Sequence, residues 1–271
     1  MYLGVDVGGS KTLAAVLDDN GTIVESSKIA TPQNYDSFLE EIAKVLDGFS
    51  NHDFRAAGVG IPATHLDRAN GIGISFGNLT WKNVPVQADI EKIAHCPVVV
   101  ENDAKLASLS EAMLLKQYSK VLYVTISTGI GYGLTVNQHI DSNIGDGGGA
   151  LLLTEYKGKL VPWESFASGR AIYERYGKKA ADITDPTVWR RIAHDLSRGF
   201  NELIAITEPD VIVVGGGVGT YFERLAAPLE AELQAFSNPL VKIPPFVKAQ
   251  RPEEAVVYGC YDLAKATYGN N

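Results

Sequence analysis

Three glycine-rich segments are the first candidates for chemistry in this chain, because each directly follows a run of β-forming residues. They lie at residues 8–9, 129–131 and 215–217. Glycine lacks a Cβ atom, so successive backbone N–H groups can approach a phosphate closely and form a concave site for it. One such turn alone is usually an ordinary hairpin. Two matched hairpin turns and a strand–glycine–helix turn together favour a site that holds a phosphate chain and a nucleoside at a helix N-terminus.

The first glycine turn is flanked by polar side chains that suit a nucleotide. A carboxylate at this place can hold Mg²⁺ through water, and hydroxyl and ammonium groups can reach phosphate oxygens. The turn has neither the Walker spacing nor the dinucleotide-binding glycine spacing. The candidate residues here are Asp6, Ser10, Lys11 and Thr12.

A second candidate is the Glu-Asn-Asp-Ala stretch at residues 101–104, which lies between a predicted buried strand and a predicted helix. Ligands bind at the carboxyl ends of strands in layered α/β folds. Asn102 or Asp103 can simply cap the helix. Phosphoryl transfer, however, needs a carboxylate that accepts the proton of the attacking hydroxyl, and Asp103 beside Asn102 suits that task.

Hydrophobic patterns predict the elements that position these residues. Residues 2–25 read as three antiparallel strands, and residues 36–49 have helical spacing. A short strand at 56–61 is ended by Pro62. Another strand at 98–100 leads into a helix that begins at Asp103 and runs to about residue 117.

The opening pattern of strand, small-residue turn and strand returns at residues 121–136, which suggests two related halves. The third glycine turn follows a strand at 210–214 and precedes a helix at 221–234. A final amphipathic segment at 253–268 is predicted to return and pack on the first half.

The charge and composition exclude several other classes of protein. Acidic residues outnumber basic ones by 32 to 24, giving a net charge of −8, which argues against general nucleic-acid binding. We expect a cytoplasmic protein with no membrane partner, because there is neither a signal-peptide pattern nor a long apolar run. Cys96 and Cys260 are isolated, so we expect two reduced thiols and no zinc site.

Several motifs together resemble a bacterial sugar kinase of the ROK family, within the actin-like ATPase superfamily. They occur in the family's order and span nearly the whole chain. The matching stretches are residues 6–12, 58–62, 77–81, 101–104, 127–133, 164–170, 215–218 and 254–260.

The resemblance implies an α/β fold of the two-lobed actin-like ATPase type, which is ribonuclease H-like, with a mixed sheet flanked by helices in each lobe. Residues 1–112 plus 253–271 would form a small N-terminal lobe, and residues 113–252 a large C-terminal lobe. Closure of the lobes on sugar and ATP would exclude water as a competing acceptor. The resemblance also implies a homodimer.

The resemblance also assigns roles to residues at the matching positions. Asp103 is the expected catalytic base, and Asp6 is expected to hold Mg²⁺ through water. The expected sugar contacts are Asn78, Asn102, Asp103 and Glu164. The expected ATP contacts are Asp6, Gly8, Gly9, Ser10, Lys11, Thr12, Thr128, Gly129, Gly215 and Gly216.

The chain departs from the family at a glycine-rich stretch and at the zinc module. Typical members have Gly-Glu-x-Gly-His where this chain has residues 145–149, so Asp146 replaces the glutamate and Gly149 the histidine. The zinc module is replaced by a short cysteine-free bridge at 151–163. Loss of one hydrogen bond to a buried polar ligand costs about 1–3 kcal/mol. Asp146 can still accept a sugar hydroxyl, and His139 or Tyr156 are candidate replacements for the imidazole.

The leading hypothesis is transfer of the ATP γ-phosphoryl group to the 6-hydroxyl of glucose. Fructose or an N-acetylated amino sugar as acceptor, and polyphosphate as donor, remain open. A DNA-binding sugar sensor is disfavoured, because the first strand begins at Tyr2 and the net charge is acidic. The glycines at 147–149 keep a non-catalytic sugar-binding protein open. Trp81 and Trp163 either stack on the sugar or pack in the core.

Overall fold

The structure is a computed structural model that describes residues 1–235, 240–251 and 253–269. The strands are β1 (Tyr2–Val7), β2 (Lys11–Leu17), β3 (Ile23–Ala30), β4 (Ala56–Ile61), β5 (Ala63–Asp67), β6 (Ile72–Phe76), β7 (Val98–Asn102), β8 (Lys120–Ile126), β9 (Ile130–Val136), β10 (His139–Ile140), β11 (Leu153–Tyr156), β12 (Lys159–Pro162), β13 (Val211–Gly215) and β14 (Phe246–Lys248). The helices are α1 (Tyr35–Asp47), α2 (Val86–Ala94), α3 (Asp103–Leu114), α4 (Gly148–Leu151), α5 (Glu164–Ala167), α6 (Gly169–Tyr176), α7 (Pro186–Thr207), α8 (Gly216–Gly219), α9 (Phe222–Ala235) and α10 (Ala255–Tyr268). A 3₁₀ turn spans Ala180–Asp182.

The chain divides into two compact units, one made of Met1–Ser110 with Glu253–Asn271 and the other of Glu111–Pro252. We call them unit 1 and unit 2. Across the residues that the structure describes, none of the helices is long and apolar enough to cross a bilayer.

Unit 1 is built on a mixed five-stranded sheet with the order β3-β2-β1-β4-β7. The strands β1, β2 and β3 pair antiparallel, while β1, β4 and β7 run parallel. The interior strand β4 is buried along its whole length, as expected for a parallel strand that is covered on both faces.

Alternate residues of β1 face two different helical layers, because side chains alternate along a strand. Leu3 and Val5 belong to a core that includes Phe38 of α1 and Ile90 of α2. Tyr2, from the opposite face, clusters with apolar residues of α10. Unit 1 therefore has helices on both sides of its sheet.

Unit 2 repeats this design with the strand order β10-β9-β8-β13-β14. Here β8, β9 and β10 pair antiparallel, and β8, β13 and β14 run parallel. Each unit thus opens with a hairpin whose first strand is the first of three parallel strands. The prediction of two related halves is confirmed.

The core of unit 2 forms where the long helix α7 packs against the sheet. Asp185 caps α7 by accepting the backbone N–H of Thr187, and Pro186 occupies its first turn, where a proline loses no hydrogen bond. Trp163 is fully buried against Gly199 of α7, where a Cβ atom would lie 2.1 Å from the indole. Trp163 is therefore a core residue.

The cysteine-free bridge at 151–163 is a β-hairpin formed by β11 and β12. Its turn residues Lys157 and Gly158 have φ angles of 52° and 78°. Positive φ at both central residues is the mark of a tight two-residue hairpin turn. A second hairpin, β5–β6, was not predicted either.

Helix α3 passes from unit 1 into unit 2, and its Glu111 is fully buried at the start of unit 2. The Glu111 carboxylate accepts the backbone N–H groups of Gln250 and Arg251 at 2.8–3.0 Å. These amides lie just before the chain returns to unit 1 at Glu253. These hydrogen bonds therefore lie within unit 2 and join the first residue of that unit to residues near its end.

Candidate active site

In unit 1 the candidate residues gather at the carboxyl ends of the three parallel strands. Asp6 of β1 is in register with Gly60 of β4, which is in register with Glu101 of β7. Asn102 ends β7, and Asp103 is the first residue of α3. The sequence prediction that residues 101–103 join a strand directly to a helix is confirmed.

Asn102, rather than Asp103, is the main cap of α3. Its side-chain oxygen accepts the backbone N–H groups of Ala104 and Lys105 at 3.0 and 3.3 Å, and its amide nitrogen donates to the carbonyl of Ala63. One oxygen of Asp103 accepts the Ala104 N–H at 2.8 Å, and its other oxygen accepts no hydrogen bond from the described residues. Asp103 is half-buried, so one carboxylate oxygen remains available for a substrate hydroxyl.

Burial raises the pKa of both carboxyl groups at this edge of the sheet. The pKa of Asp103 rises from 3.8 to about 6 because its carboxylate loses water, although the N–H of Ala104 opposes the shift. The pKa of Asp6 rises to about 7, mainly through burial and then through the negative charge of Asp103. A base whose pKa is close to the working pH is well matched to proton transfer.

The acidic pair also suits a magnesium ion. Asp6 accepts no hydrogen bond from the described residues, and the Asp103 carboxylate is the second negative charge at this edge of the sheet. Mg²⁺ is commonly held by one or two carboxylates together with substrate phosphates. No group of three or more possible metal ligands occurs among the described residues. Asp6 fits the role of a carboxylate that holds the ion through water.

With Asp103 in its expected role as the catalytic base, the activity of this site should fall at acidic pH, because a protonated carboxyl group cannot accept the proton of an acceptor hydroxyl. With a pKa of about 6, kcat/KM should be half-maximal near that pH and fall about tenfold per pH unit below it. The measurement is a pH profile of sugar-dependent ADP release from pH 5 to 9.

Saturating Mg²⁺ is the control for this profile, because a bound metal ion would keep Asp6 ionised and would remove the contribution of Asp6 to the acidic limb. An acidic limb that persists at high Mg²⁺ belongs to Asp103. A profile that stays flat down to pH 5, or an acidic limb retained by Asp103→Asn, would contradict this assignment.

The first glycine turn is held in place by the end of β3 and the residue that follows it. The N–H of Gly8 donates to the carbonyl of Lys11 at 2.9 Å, which closes the turn. Thr31 donates its hydroxyl to the Gly8 carbonyl and shares a 2.9 Å hydrogen bond with Thr12. Thr12 is fully buried, so its hydroxyl braces the turn. Ser10 and Lys11 are exposed and can reach a phosphate.

Asn78 lies directly against this turn. A Cβ atom on Gly9 would be 2.6 Å from the Cβ of Asn78, so the two backbones can approach closely only because residue 9 is glycine. Asn78 is exposed. The structure thus places one expected sugar contact beside the first glycine turn.

In unit 2, the second and third glycine turns follow the neighbouring parallel strands β8 and β13. Thr128 is exposed in the β8–β9 turn, and the carbonyl of Gly129 accepts the N–H of Ser127 at 2.9 Å. Gly216 begins α8 with a φ of 77°. A Cβ atom on Gly216 would lie 2.6 Å from the carbonyl oxygen of Ile126. The third glycine turn can therefore pack beside the second glycine turn only with glycine at residue 216.

Gly215 is the last residue of β13 and directly precedes Gly216 in the third glycine turn. A Cβ atom on Gly215 would lie 2.3 Å from the hydroxyl of Tyr123. Residues 216–219 form a short helical turn before the predicted helix begins at Phe222. The predicted strand–glycine–helix arrangement is therefore present, with one additional turn of helix.

Glu164 lies beside the second turn. Its Oε2 accepts the backbone N–H of Ile130 at 3.1 Å, and a Cβ atom on Gly129 would lie 2.6 Å from the same oxygen. The structure thus places another expected sugar contact against the second glycine turn.

The 145–149 stretch leaves no room for the family's histidine. A Cβ atom at buried Gly149 would lie 2.9 Å from the Cβ of Ile130 and 3.3 Å from that of Glu164. Gly148 has a φ of 49°, where a side chain would meet the carbonyl of Ile130 at 2.4 Å. Asp146 is half-buried just before these glycines. An imidazole cannot be restored here by substitution of Gly149 alone.

The two candidate replacements for that imidazole, His139 and Tyr156, make contacts of their own elsewhere in unit 2. His139 is exposed, with Nδ1 2.8 Å from the carbonyl of Asn137. Tyr156 stacks on Phe166 at 4.2 Å between ring centroids. Trp81 is only 3% exposed in an aromatic cluster, so it is a core residue.

One supporting residue was not predicted. Arg68, which follows β5, donates two hydrogen bonds to Glu101 at 2.6 and 2.8 Å. This bidentate pair is stronger than a single ion pair, and it fixes the end of β7 immediately before Asn102 and Asp103. Its partners are 33 residues apart, so no local pattern in the sequence indicates the contact.

Comparison with known proteins identifies the family. Residues 2–267 match the ROK family. The chain belongs to the ROK family. The resemblance inferred from the motifs is therefore confirmed.

The relatives of this ROK protein are named as kinases of different sugars. It is 25% identical to a glucokinase of Streptomyces coelicolor, over 98% of both chains. It is 30% identical to an N-acetyl-D-glucosamine kinase of Vibrio cholerae, over 96% of this chain and 98% of the other. The first alignment spans 318 positions, which exceeds the 271 residues of this chain, so the glucokinase has segments that are absent here.

A solved structure confirms the fold of this ROK protein. A ROK glucokinase of Streptomyces griseus, determined with glucose and AMPPNP, is 24% identical and has a TM-score of 0.82. The match covers 98% of this chain and 99% of that chain. The predicted actin-like ATPase fold, with a mixed sheet and flanking helices in each unit, is confirmed.

Proposed function

We propose that this chain is a sugar kinase that transfers the γ-phosphoryl group of ATP to a hexose hydroxyl, with glucose converted to glucose 6-phosphate as the leading reaction. The observation that carries the proposal is Asp103, a half-buried carboxylate at the end of a parallel strand. One of its oxygens is free of hydrogen bonds from the described residues, and its pKa is raised to about 6. The kinase names of the relatives support the reaction class.

In the proposed reaction Asp103 is the general base. The sugar hydroxyl oxygen attacks the γ-phosphorus, a new O–P bond forms, and the bond to the bridging oxygen of ADP breaks. The hydroxyl proton passes to Asp103 and then to solvent. Asn102 caps α3 and Arg68 holds Glu101, so both keep the base in position.

The glycine turns are the proposed nucleotide contacts. Backbone N–H groups and the exposed side chains of Ser10, Lys11 and Thr128 would bind phosphate oxygens. Gly215 and Gly216 would lie against the nucleoside. Mg²⁺, held through water by Asp6, would supply positive charge that offsets the charge of the phosphates.

The identity of the sugar depends on the 145–149 stretch. We propose Asn78, Asn102, Asp103, Asp146 and Glu164 as the sugar contacts, without an imidazole at residue 149. Asn102 can use only its remaining amide hydrogen for a sugar, because its oxygen caps α3. Loss of one polar contact changes affinity about tenfold to hundredfold. Fructose and N-acetylated amino sugars are therefore the alternative acceptors.

We further propose that unit 1 is the small lobe and unit 2 the large lobe of this kinase, and that it acts in the cytoplasm as a homodimer. These proposals rest on membership of the ROK family. The catalytic base belongs to unit 1, and the second and third glycine turns belong to unit 2.

The test is formation of sugar phosphate, measured with glucose, fructose, mannose, N-acetylglucosamine and N-acetylmannosamine, each with ATP or polyphosphate as donor. We expect ATP-dependent phosphorylation of at least one hexose, with the highest kcat/KM for glucose. Sugar binding by calorimetry without turnover of any hexose would instead support a sugar sensor. Turnover with polyphosphate alone would replace ATP as the donor.

A further inference from the structure

We propose that the second phosphate turn positions the Glu164 carboxylate for the sugar, so that sugar affinity depends on Gly129 and Ile130 and is coupled to nucleotide binding. This inference rests on the proposed function and adds to it a positioning role for residues that do not touch the sugar.

The first support is the contact between Glu164 and the turn. Oε2 of Glu164 accepts the Ile130 N–H at 3.1 Å. Its other oxygen, Oε1, accepts no hydrogen bond from the described residues and is available for a sugar hydroxyl. One carboxylate therefore has one oxygen on the phosphate turn and the other free for the substrate.

The second support is that the segment carrying Glu164 is attached to the same turn at its far end. The N–H of Gly169 donates to the carbonyl of Ser127 at 2.7 Å. A Cβ atom on Gly169 would lie 2.6 Å from that carbonyl. Because residues 164–169 are held at both ends by residues 127–130, a movement of the turn must move the carboxylate.

The third support is the close packing of Gly149 against both Ile130 and Glu164. Gly149 fits closely under Ile130 and Glu164, with its missing Cβ 2.9 and 3.3 Å from their Cβ atoms. If the turn shifts, Glu164 must therefore shift with it.

Unit 1 shows the same arrangement in its own phosphate turn, where Gly9 lies against Asn78, another proposed sugar contact. In both units a glycine of a phosphate turn leaves room for a residue that we assign to the sugar. Binding of phosphates to a turn and binding of sugar to its neighbour are thus linked, and such linkage is reciprocal.

Gly129→Ala tests the coupling without changing Glu164 itself. The added Cβ would lie 2.6 Å from Oε2, the far end of a flexible side chain, so we expect the carboxylate to rotate away while the backbone stays in place. The dissociation constant of the sugar should then rise about tenfold or more. It is measured by calorimetry with D-glucose, and with N-acetyl-D-glucosamine if that sugar is the better substrate.

A double-mutant cycle separates this effect from damage to the phosphate turn. In a Glu164→Ala background there is no carboxylate to displace, so Gly129→Ala should change sugar affinity less than twofold. Gly48→Ala is the matched control, because Gly48 is exposed with a φ of −80° and its Cβ would be 3.4 Å from the nearest atom. It should leave sugar affinity unchanged.

The coupling itself is measured by repeating the sugar titration with a non-hydrolysable ATP analogue. The analogue should tighten sugar binding at least fivefold in the wild type and by less than twofold in Gly129→Ala. Additive effects in the cycle, no change of sugar affinity in Gly129→Ala, or no sugar binding by the wild type would overturn the proposal. Absence of turnover with every hexose would instead defeat the proposed function, because the binding cycle does not require turnover.

Discussion

Replacing Asp103 by asparagine is expected to lower kcat by about 10²–10⁴-fold, because the acceptor hydroxyl loses its general base. Asparagine has nearly the same shape and can still accept the Ala104 N–H. The KM for the sugar should therefore stay within about tenfold of the wild-type value. The measurement is sugar-dependent ADP release under saturating ATP and Mg²⁺.

The same substitution should stabilise the protein at neutral pH. The folded-state pKa of Asp103 lies near 6, above its ordinary value of 3.8, so the folded state binds more protons than the unfolded state between these values. The contribution of this carboxyl group to stability is therefore lost as the pH rises through that range. At pH 7 the neutral amide should be more stable by about 1–3 kcal/mol.

Urea unfolding at pH 7 and pH 4.5 separates the loss of catalysis from any loss of structure. The stability advantage of Asp103→Asn should be smaller at the lower pH. A variant that retains more than a tenth of wild-type kcat, or that unfolds more easily than the wild type at pH 7, would contradict the role given to Asp103.

Gly259→Ala is expected to have the largest effect on stability. A Cβ atom on Gly259 of α10 would lie 2.0 Å from the backbone carbonyl of Leu106 in α3. The obstacle is backbone rather than a flexible side chain, so one of the two helices must move. We expect a loss of about 3 kcal/mol or more in the free energy of unfolding. Because Leu106 is one turn from Asp103, activity should fall as well.

Urea denaturation followed by circular dichroism measures this loss. Gly48→Ala serves as the matched control, and it should be neutral or stabilising by a few tenths of a kcal/mol, since alanine is favoured over glycine in a compatible conformation. If the free energy of unfolding of Gly259→Ala lies within 1 kcal/mol of the wild-type value, α3 and α10 do not pack as closely as the distance of 2.0 Å indicates.

Much of the fold was predictable because its strongest signals are local. Alternating apolar residues around Gly8 and Gly9 indicate a hairpin, and the same pattern around Gly129 indicates its repeat. The step from the 98–102 strand into a helix at Asp103 is visible as a buried run followed by capping residues. The family could be predicted from the motifs because they occur in the family's order along the chain.

Two hairpins were missed although the sequence has signals for them. Asn70-Gly71 and Lys157-Gly158 both stand between β-forming segments, and an asparagine–glycine pair is a strong indicator of a tight turn. For the β11–β12 hairpin, the absence of cysteines indicates only a short bridge at 151–163, although the Lys157-Gly158 pair marks a turn.

The contacts that support the site could not be predicted, because they join distant parts of the chain. The Arg68–Glu101 pair, the fit of Glu164 against Gly129 and the approach of Gly259 to Leu106 all depend on how the elements pack. A glycine in a sequence does not say which atom would occupy the place of its Cβ. For the same reason, the sequence does not decide whether Trp81 and Trp163 stack on a sugar or pack in the core.

The discontinuity of unit 1 has a consequence for folding during synthesis. Tyr2 and Ala56 line the sheet face that α10 covers, and residues 255–268 leave the ribosome only after the whole of unit 2 has been made. Domains generally fold as units while the nascent chain grows. The continuous unit 2 can therefore complete its core first, although its residues follow most of unit 1. Until α10 emerges, that apolar face of the earlier strands is exposed to chaperones and to other nascent chains.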